Sequence, residues 1–218
     1  MRFEKSLIEG VKGFLSEEEG ETLYELASEV CAQGPCLEIG SYCGKSTLWL
    51  GAACQEKGSV LFAVDHHRGS EEQQKGELFF DAEVWSEEDQ AVDTFRLFRQ
   101  AVDRADLNDT VVPVVAPSTV AARFWSTPLS LVFIDGGHTY AAAYNDYACW
   151  ARHLVPGGYL LIHDIYDSIE EGGQAPHHVY KMAVASGQYE VVGRVGSLGI
   201  LKRYPTGILP NELPKKDY

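Results

Sequence analysis

An α/β fold built on a mostly parallel sheet is predicted by three features of the 218-residue sequence. Five short apolar runs alternate with stretches of helical spacing, the pattern of strands buried between two layers of helices. Four of these runs finish on or beside an acid, Glu38, Asp65, Asp135 and Asp164, and so line up carboxylates at one end of the sheet. Two further runs, Tyr189 to Val195 and Leu198 to Lys202, are joined by Gly196-Ser197, which is hairpin spacing. The expectation is a seven-stranded sheet closed by a C-terminal antiparallel hairpin, with helices on both faces.

The elements follow in order. Ser16-Glu17-Glu18-Glu19 has the spacing of a capping box. Leu23, Leu26, Ala27 and Val30 then recur at helical intervals until Gly34-Pro35 stops the helix. Cys36 to Ile39 is the first strand, and Gly40 to Gly44 forms a glycine-punctuated turn. Ser46 and Thr47 open a helix that ends at Lys57-Gly58. Val60 to Asp65 is the second strand. Residues 66–92 form a long acidic insertion that carries Phe79, Phe80 and Trp85. A connection of this length with large aromatics reads as a lid rather than as disorder. A helix over Asp93 to Arg104 leads to the strand Val111 to Val115, where Pro113 demands an edge or near-edge place. Helical spacing follows over Val120 to Trp125. The fourth strand is Leu131 to Asp135, a helix runs from Tyr140 to Leu154, and Tyr159 to Asp164 is the fifth strand. A helix containing His177 and His178 then begins near Pro176, ahead of the hairpin.

Residues 1–218 read as one domain, with an N-terminal helical arm over 1–34, the insertion at 66–92 and a tail over 204–218. That length allows one well-buried core and is too short for two. Hydrophobic residues at 45% and charged residues at 23% are ordinary for a soluble globular protein. The formal net charge of -14 argues against a phosphate-backbone partner and offers no basic face for an anionic membrane. No apolar run approaches the ~20 residues of a membrane span, and the N-terminus lacks a signal-peptide core. Five cysteines without a CxxC pair read as reduced thiols. A cytoplasmic protein is the expectation.

Glu38-Ile39-Gly40-Ser41-Tyr42-Cys43-Gly44-Lys45-Ser46 resembles the first motif of class I S-adenosylmethionine-dependent methyltransferases. It is most similar to the catechol O-methyltransferase-like branch, where E-[LI]-G-x-Y-C-G-x-S is typical. Ile134 to Tyr140, and Pro156-Gly157-Gly158 through Asp164, are similar to later motifs of bacterial small-molecule O-methyltransferases, including those acting on macrolide sugars. The resemblance spans residues 35 to 202 and implies a Rossmann-like fold. It also implies that Glu38 meets the methionine amino group and that Gly40, Ser41, Tyr42 and Gly44 lie against the cofactor. Ser46 would bind the carboxylate, Asp65 the ribose hydroxyls with His66 beside it, and Ala116 and Ser118 would border the adenine.

In metal-dependent relatives the strand-four and strand-five acids hold magnesium, which implies Asp135 and Asp164 as ligands here. The sequence departs from that pattern, with Ile165 in place of an Asn and His163 in place of an acid. A softer divalent metal bound with His163, and a metal-free site, both stay open. The resemblance casts His138 as general base, with Asp135 beside it in the catalytic pair; a helix-start histidine bonded to backbone is the alternative. His66 and His67 are either cofactor or lid contacts or solvated loop residues, and His177 and His178 read as helix surface. The implied reaction is methyl transfer to a hydroxyl of a small-molecule acceptor, with a homodimer compatible. A cofactor-binding interaction module that does not methylate is one rival. An NAD-dependent oxidoreductase is another, although the turn lacks G-x-G-x-x-G spacing.

Overall fold

A computed structural model describes residues 6–205. Most of the expected tail lies outside the described residues. The strands are β1 (Cys36–Ile39), β2 (Leu61–Asp65), β3 (Trp85–Ser86), β4 (Ala91–Val92), β5 (Val111–Val115), β6 (Leu129–Ile134), β7 (Leu154–Ile162), β8 (Tyr189–Val195) and β9 (Leu198–Arg203). Seven of them make one sheet in the order β5-β2-β1-β6-β7-β9-β8. Pairing is parallel from β5 to β7, and β9 joins β7 and β8 antiparallel. This is the predicted sheet. Pro113 sits on the edge strand β5, where its missing N–H costs no ladder bond.

The chain crosses to opposite sides of the sheet on either side of β1, so β1 and β6 flank a topological switch point. In open α/β sheets ligands bind in the crevice beyond the strand ends at such a point. Alternation along the strands builds two cores. Leu131 and Phe133 face one side, with α2 (Glu17–Val30), α3 (Lys45–Lys57) and α4 (Phe95–Arg104). Val132 and Ile134 face the other, with α5 (Ser118–Ala121), α6 (Tyr140–Trp150) and α7 (Ala175–Ala185). A single turn, Ser6–Glu9, is the helix α1.

Local chemistry explains the boundaries. Ser16 and Glu19 form the predicted capping box at the start of α2. Helix α3 ends on Gly58 in the left-handed region, whose N–H returns to the Cys54 and Gln55 carbonyls. Two helices are shorter than expected: α5 stops at Ala121, and α6 gives way to a 3-10 turn over Ala151–His153. The insertion is ordered. It contains 3-10 turns at Glu71–Gln73 and Ala82–Val84 and the β3–β4 ribbon, pinned by Val84 and Val92, which are buried in the core.

Candidate active site

A cavity of about 740 Å³ runs along the carboxyl ends of β1, β2, β5, β6 and β7. Its floor begins at the turn after β1. Gly40 has φ 85°, and a Cβ there would run into the Asp135 carbonyl, so only glycine lets the β1 and β6 loops meet. Ser41 and Tyr42 follow on the wall, Tyr42 with φ 45°. Asp65 holds that turn: one carboxylate oxygen accepts the Ser41 and Tyr42 N–H groups, both at 2.9 Å, and the other accepts the His67 N–H at 2.7 Å. A carboxylate has about four acceptor positions, so Asp65, itself on the cavity wall, keeps capacity for a ligand donor.

Glu38 is a correction. Strand alternation turns it towards α3, fully buried and away from the cavity wall. It accepts hydroxyl hydrogen bonds from Ser46 and Thr47, each 2.5 Å. Burial pushes its pKa up to about 7 against the pull of these hydroxyls. Ser46 does reach the wall, but its hydroxyl hydrogen is committed to Glu38. Gly44 also stands back from the cavity. It caps α3 with φ 97°, its Cα turned towards Phe98 and Ala101 of α4.

Ala116, Ser118 and His66 line the far end. His66 is exposed, and its Nδ1 accepts the Arg68 N–H. His67 is buried away from the cleft, bonded through Nδ1 to Thr94 at 2.8 Å and packed at a tilt against Phe95 and Phe98. His177 Nδ1 donates to the Tyr166 carbonyl at 2.6 Å, and His178 packs edge-on against Tyr140, both off the cavity wall. Asp146 on α6, which the sequence did not single out, is a buried acid on this wall.

Asp135, His138, His163 and Asp164 converge at the near end. One ligand atom each from Asp135, His163 and Asp164 lies within 4.8 Å of the others. His163 Nδ1 is 3.1 Å from Asp135 Oδ1 and 3.4 Å from Asp164 Oδ2. Its Nε2 is 3.2 Å from the Ser197 hydroxyl and 3.4 Å from Glu19. Burial disfavours charge on His163, but the surrounding carboxylates of Asp135, Asp164 and Glu19 outweigh it and raise its pKa well above the usual range. Glu19 is thus more than a helix cap: it also accepts the Ser197 N–H at 2.8 Å and ties the hairpin turn to α2.

His138 lies between two carboxylates, Nε2 to Asp164 at 2.8 Å and Nδ1 to Glu72 at 3.0 Å. The Asp164 hydrogen bond, followed by its charge and the Glu72 contact, raises the imidazole to about 9 despite burial. At neutral pH this ring holds both protons. As placed, His138 is a protonated ring between two carboxylates, and it can accept a further proton only after losing one when a carboxylate partner leaves. Glu72 comes from the insertion, and nothing in its acidic run marked it. Asp164 has φ 59°, a strained backbone of the kind found at functional sites.

The arm and the insertion meet over this cleft. Lys12 bridges Asp81 at 2.5 Å and Glu83 at 2.6 Å, and Phe14 packs on Tyr42 and Phe79.

A family described as a methyltransferase domain matches residues 37–165, which is more than half of the chain. Solved structures share the fold. An O-methyltransferase from Bacillus cereus in complex with SAH is 17% identical, with a TM-score of 0.63, covering 93% of this chain and 92% of that one. TomG from Streptomyces achromogenes, an O-methyltransferase involved in tomaymycin synthesis and solved with SAM, is 16% identical at TM-score 0.61, covering 88% and 82%. Cofactor-bound Rv0187 from MTB is 16% identical at TM-score 0.63, covering 91% and 86%. The switch-point cleft and the sheet with its closing hairpin define a class I methyltransferase fold. The chain belongs to the methyltransferase-domain family. Among the described residues no helix is long and apolar enough to cross a membrane, and the five cysteines are free thiols.

Proposed function

We propose that this methyltransferase moves the methyl group of S-adenosylmethionine to a hydroxyl oxygen of a small-molecule acceptor in the cytoplasm. The residues present fit the cofactor. The first turn of α3 offers backbone N–H groups to a carboxylate, and Asp65 keeps acceptor capacity for a ribose hydroxyl. The cavity extends from there past Ala116 and Ser118, far enough to hold a nucleoside. When bound, S-adenosylmethionine supplies an electrophilic methyl on a sulfonium.

At the other end the acceptor hydroxyl takes the place of Glu72 at His138 Nδ1. Without Glu72 the imidazole returns towards neutrality, while Asp164 at Nε2 fixes its orientation, the division of labour of a carboxylate–histidine pair. As the new O–CH3 bond forms and the S–CH3 bond breaks, the hydroxyl proton passes to Nδ1. The Lys12–Asp81 bridge and Phe14–Phe79 hold the insertion over the cleft as a lid, excluding water and aligning the reacting atoms.

Asp135, His163 and Asp164 also fit a divalent ion. With Nε2–H given to Ser197 or Glu19, the Nδ1 lone pair of His163 faces two carboxylates, and only a proton or a cation satisfies that arrangement. A mixed nitrogen and oxygen donor set favours a softer ion than magnesium. Such an ion would supply Lewis acidity towards the acceptor hydroxyl.

The observation that carries this reading is the Asp164–His138 pair on the wall of a cleft that begins at the β1 turn. The experiment is methyl transfer by His138→Ala and Asp135→Asn beside cofactor calorimetry. Unchanged affinity with turnover reduced on the order of 10²–10⁴-fold in His138→Ala is the expected result. Wild-type turnover in both variants removes the assigned roles. Turnover that survives exhaustive chelation removes the metal.

A further inference from the structure

Glu19 makes more buried contacts than a helix cap requires. It is the third residue of α2 and only 4% exposed. Its Oε2 accepts the Ser16 N–H and the Ser16 hydroxyl, each at 2.9 Å, which completes the capping box. Its Oε1 reaches the turn between β8 and β9, where it accepts the Ser197 N–H at 2.8 Å and the Ser197 hydroxyl at 3.0 Å. That turn is shaped to receive it: Gly196 has φ 56°, and a Cβ there would stand 2.6 Å from Oε1. Capping occupies Ser16 and Oε2 alone; Oε1 and the glycine turn serve something else.

What they serve is His163. Its Nε2 lies 3.2 Å from Ser197 Oγ and 3.4 Å from Glu19 Oε2. Because the Ser197 hydrogen goes to Glu19, that hydroxyl oxygen can only accept from the ring, and the carboxylate is an acceptor as well. Both contacts therefore require the ring hydrogen on Nε2. Nδ1 is left facing Asp135 at 3.1 Å and Asp164 at 3.4 Å. The partner of one imidazole nitrogen fixes the tautomer and orientation in which the other binds an ion. We infer that Glu19, directly and through Ser197, is a positioning residue that holds His163 with Nδ1 presented to the cleft as a ligand nitrogen. The inference rests on the divalent-ion reading above. It gives the start of α2 and the closing hairpin, neither of them on the cavity wall at Glu19 or Ser197, a part in building the near end of the cleft.

Titration of the full chain with Co2+ tests this, read by the visible absorption of the bound ion, with Asp164→Asn as the variant that removes the site. Glu19→Gln keeps the side-chain length and a residue type that a capping box accepts, but it turns an amide NH2 towards Ser197. Ser197 Oγ then accepts from the amide and gives its hydrogen to Nε2, which moves the ring hydrogen to Nδ1. Wild-type protein is expected to bind Co2+, and Glu19→Gln to bind it about 10–100-fold more weakly. Ser16→Ala, which weakens the cap and leaves Glu19 in place, should lower the unfolding midpoint and leave Co2+ affinity unchanged. Loss of affinity in both variants in step with their stability would make Glu19 merely structural and overturn the inference. Wild-type affinity in Glu19→Gln overturns the role of Glu19 and leaves the divalent-ion reading intact. Absence of Co2+ binding in the wild type, or absorption that persists in Asp164→Asn, overturns the divalent-ion reading and the inference with it. If Glu19→Gln does not fold, Ser197→Ala decides: it removes the hydroxyl between carboxylate and ring, so affinity should fall several-fold, and wild-type affinity overturns the inference.

Discussion

Replacing Glu38 with Gln should change the pH dependence of folding in a calculable way. Glu38 is fully buried, with both oxygens on hydroxyls and no cationic partner among the described residues, and its pKa rises from 4.5 to about 7. The folded state therefore binds this proton more tightly than the unfolded state. The resulting stability is complete below 4.5 and is lost as pH rises through 7. At 1.36 kcal/mol per pH unit, the displacement is worth about 3 kcal/mol. Gln is close in shape, and its amide can accept from one hydroxyl and donate to the other, so it removes the charge with little change in packing. Denaturant unfolding at intervals from pH 4 to 8 gives stability for each protein. The wild-type curve should fall relative to Glu38→Gln across 4.5–7, by a few kcal/mol in total. Asp146, raised to about 6, falls in the same window in both proteins and cancels in the difference. Parallel curves would show that Glu38 is ionised throughout and would refute the buried-acid account.

Other perturbations reach the cleft. Glu72→Gln should lower the His138 pKa below its present value near 9, measured by NMR titration of the ring, with Asp164 keeping it above 6.5; an unmoved titration would mean the lid carboxylate does not touch the imidazole in solution. Asp65→Asn leaves at least one of the three loop N–H groups without an acceptor and should cost about 1–3 kcal/mol in thermal unfolding, together with weaker S-adenosylhomocysteine binding. Gly40→Ala cannot keep its backbone beside Asp135 and should abolish cofactor binding by calorimetry even where the protein still folds. If Ser46 binds the cofactor carboxylate through its hydroxyl, that hydrogen must leave Glu38. Binding near pH 8 should then take up a proton, seen as a calorimetric enthalpy that varies with the ionisation enthalpy of the buffer.

The sheet was legible because its signals are local. Apolar runs such as Leu131 to Ile134, the Ser16–Glu19 box, Pro113 and the Gly196-Ser197 turn each report on their immediate neighbours, and the structure places them as expected. The cleft residues Asp65, Ser118, Asp135, His138 and Asp164 were also visible, since strand ends collect at one edge. Their partners were not. Glu72 meets His138 across 66 positions and Glu19 meets Ser197 across 178, and an acidic run looks like a solvated surface until its lid is folded. Glu38 was misplaced for a different reason. Its motif suggests a ligand contact, but strand alternation and the first-turn hydroxyls of α3 decide where the side chain points.

The pairing of acids with imidazoles at the transfer end bears on the proposed reaction. A sulfonium loses its positive charge as the methyl moves, so uncompensated carboxylates nearby would bind the starting state more tightly than the transition state and slow the step. Asp135 is matched by His163, and Asp164 by both His163 and His138. On the proposed reaction, the imidazoles that match these two acids damp their pull on the sulfonium while leaving them close enough to orient the ring that takes the hydroxyl proton. The acid that would have stood beside the methionine end, Glu38, is instead folded under α3, where burial leaves it only partly ionised at pH 7. On the proposed reaction, the proton-holding groups gather where the acceptor oxygen would become a nucleophile.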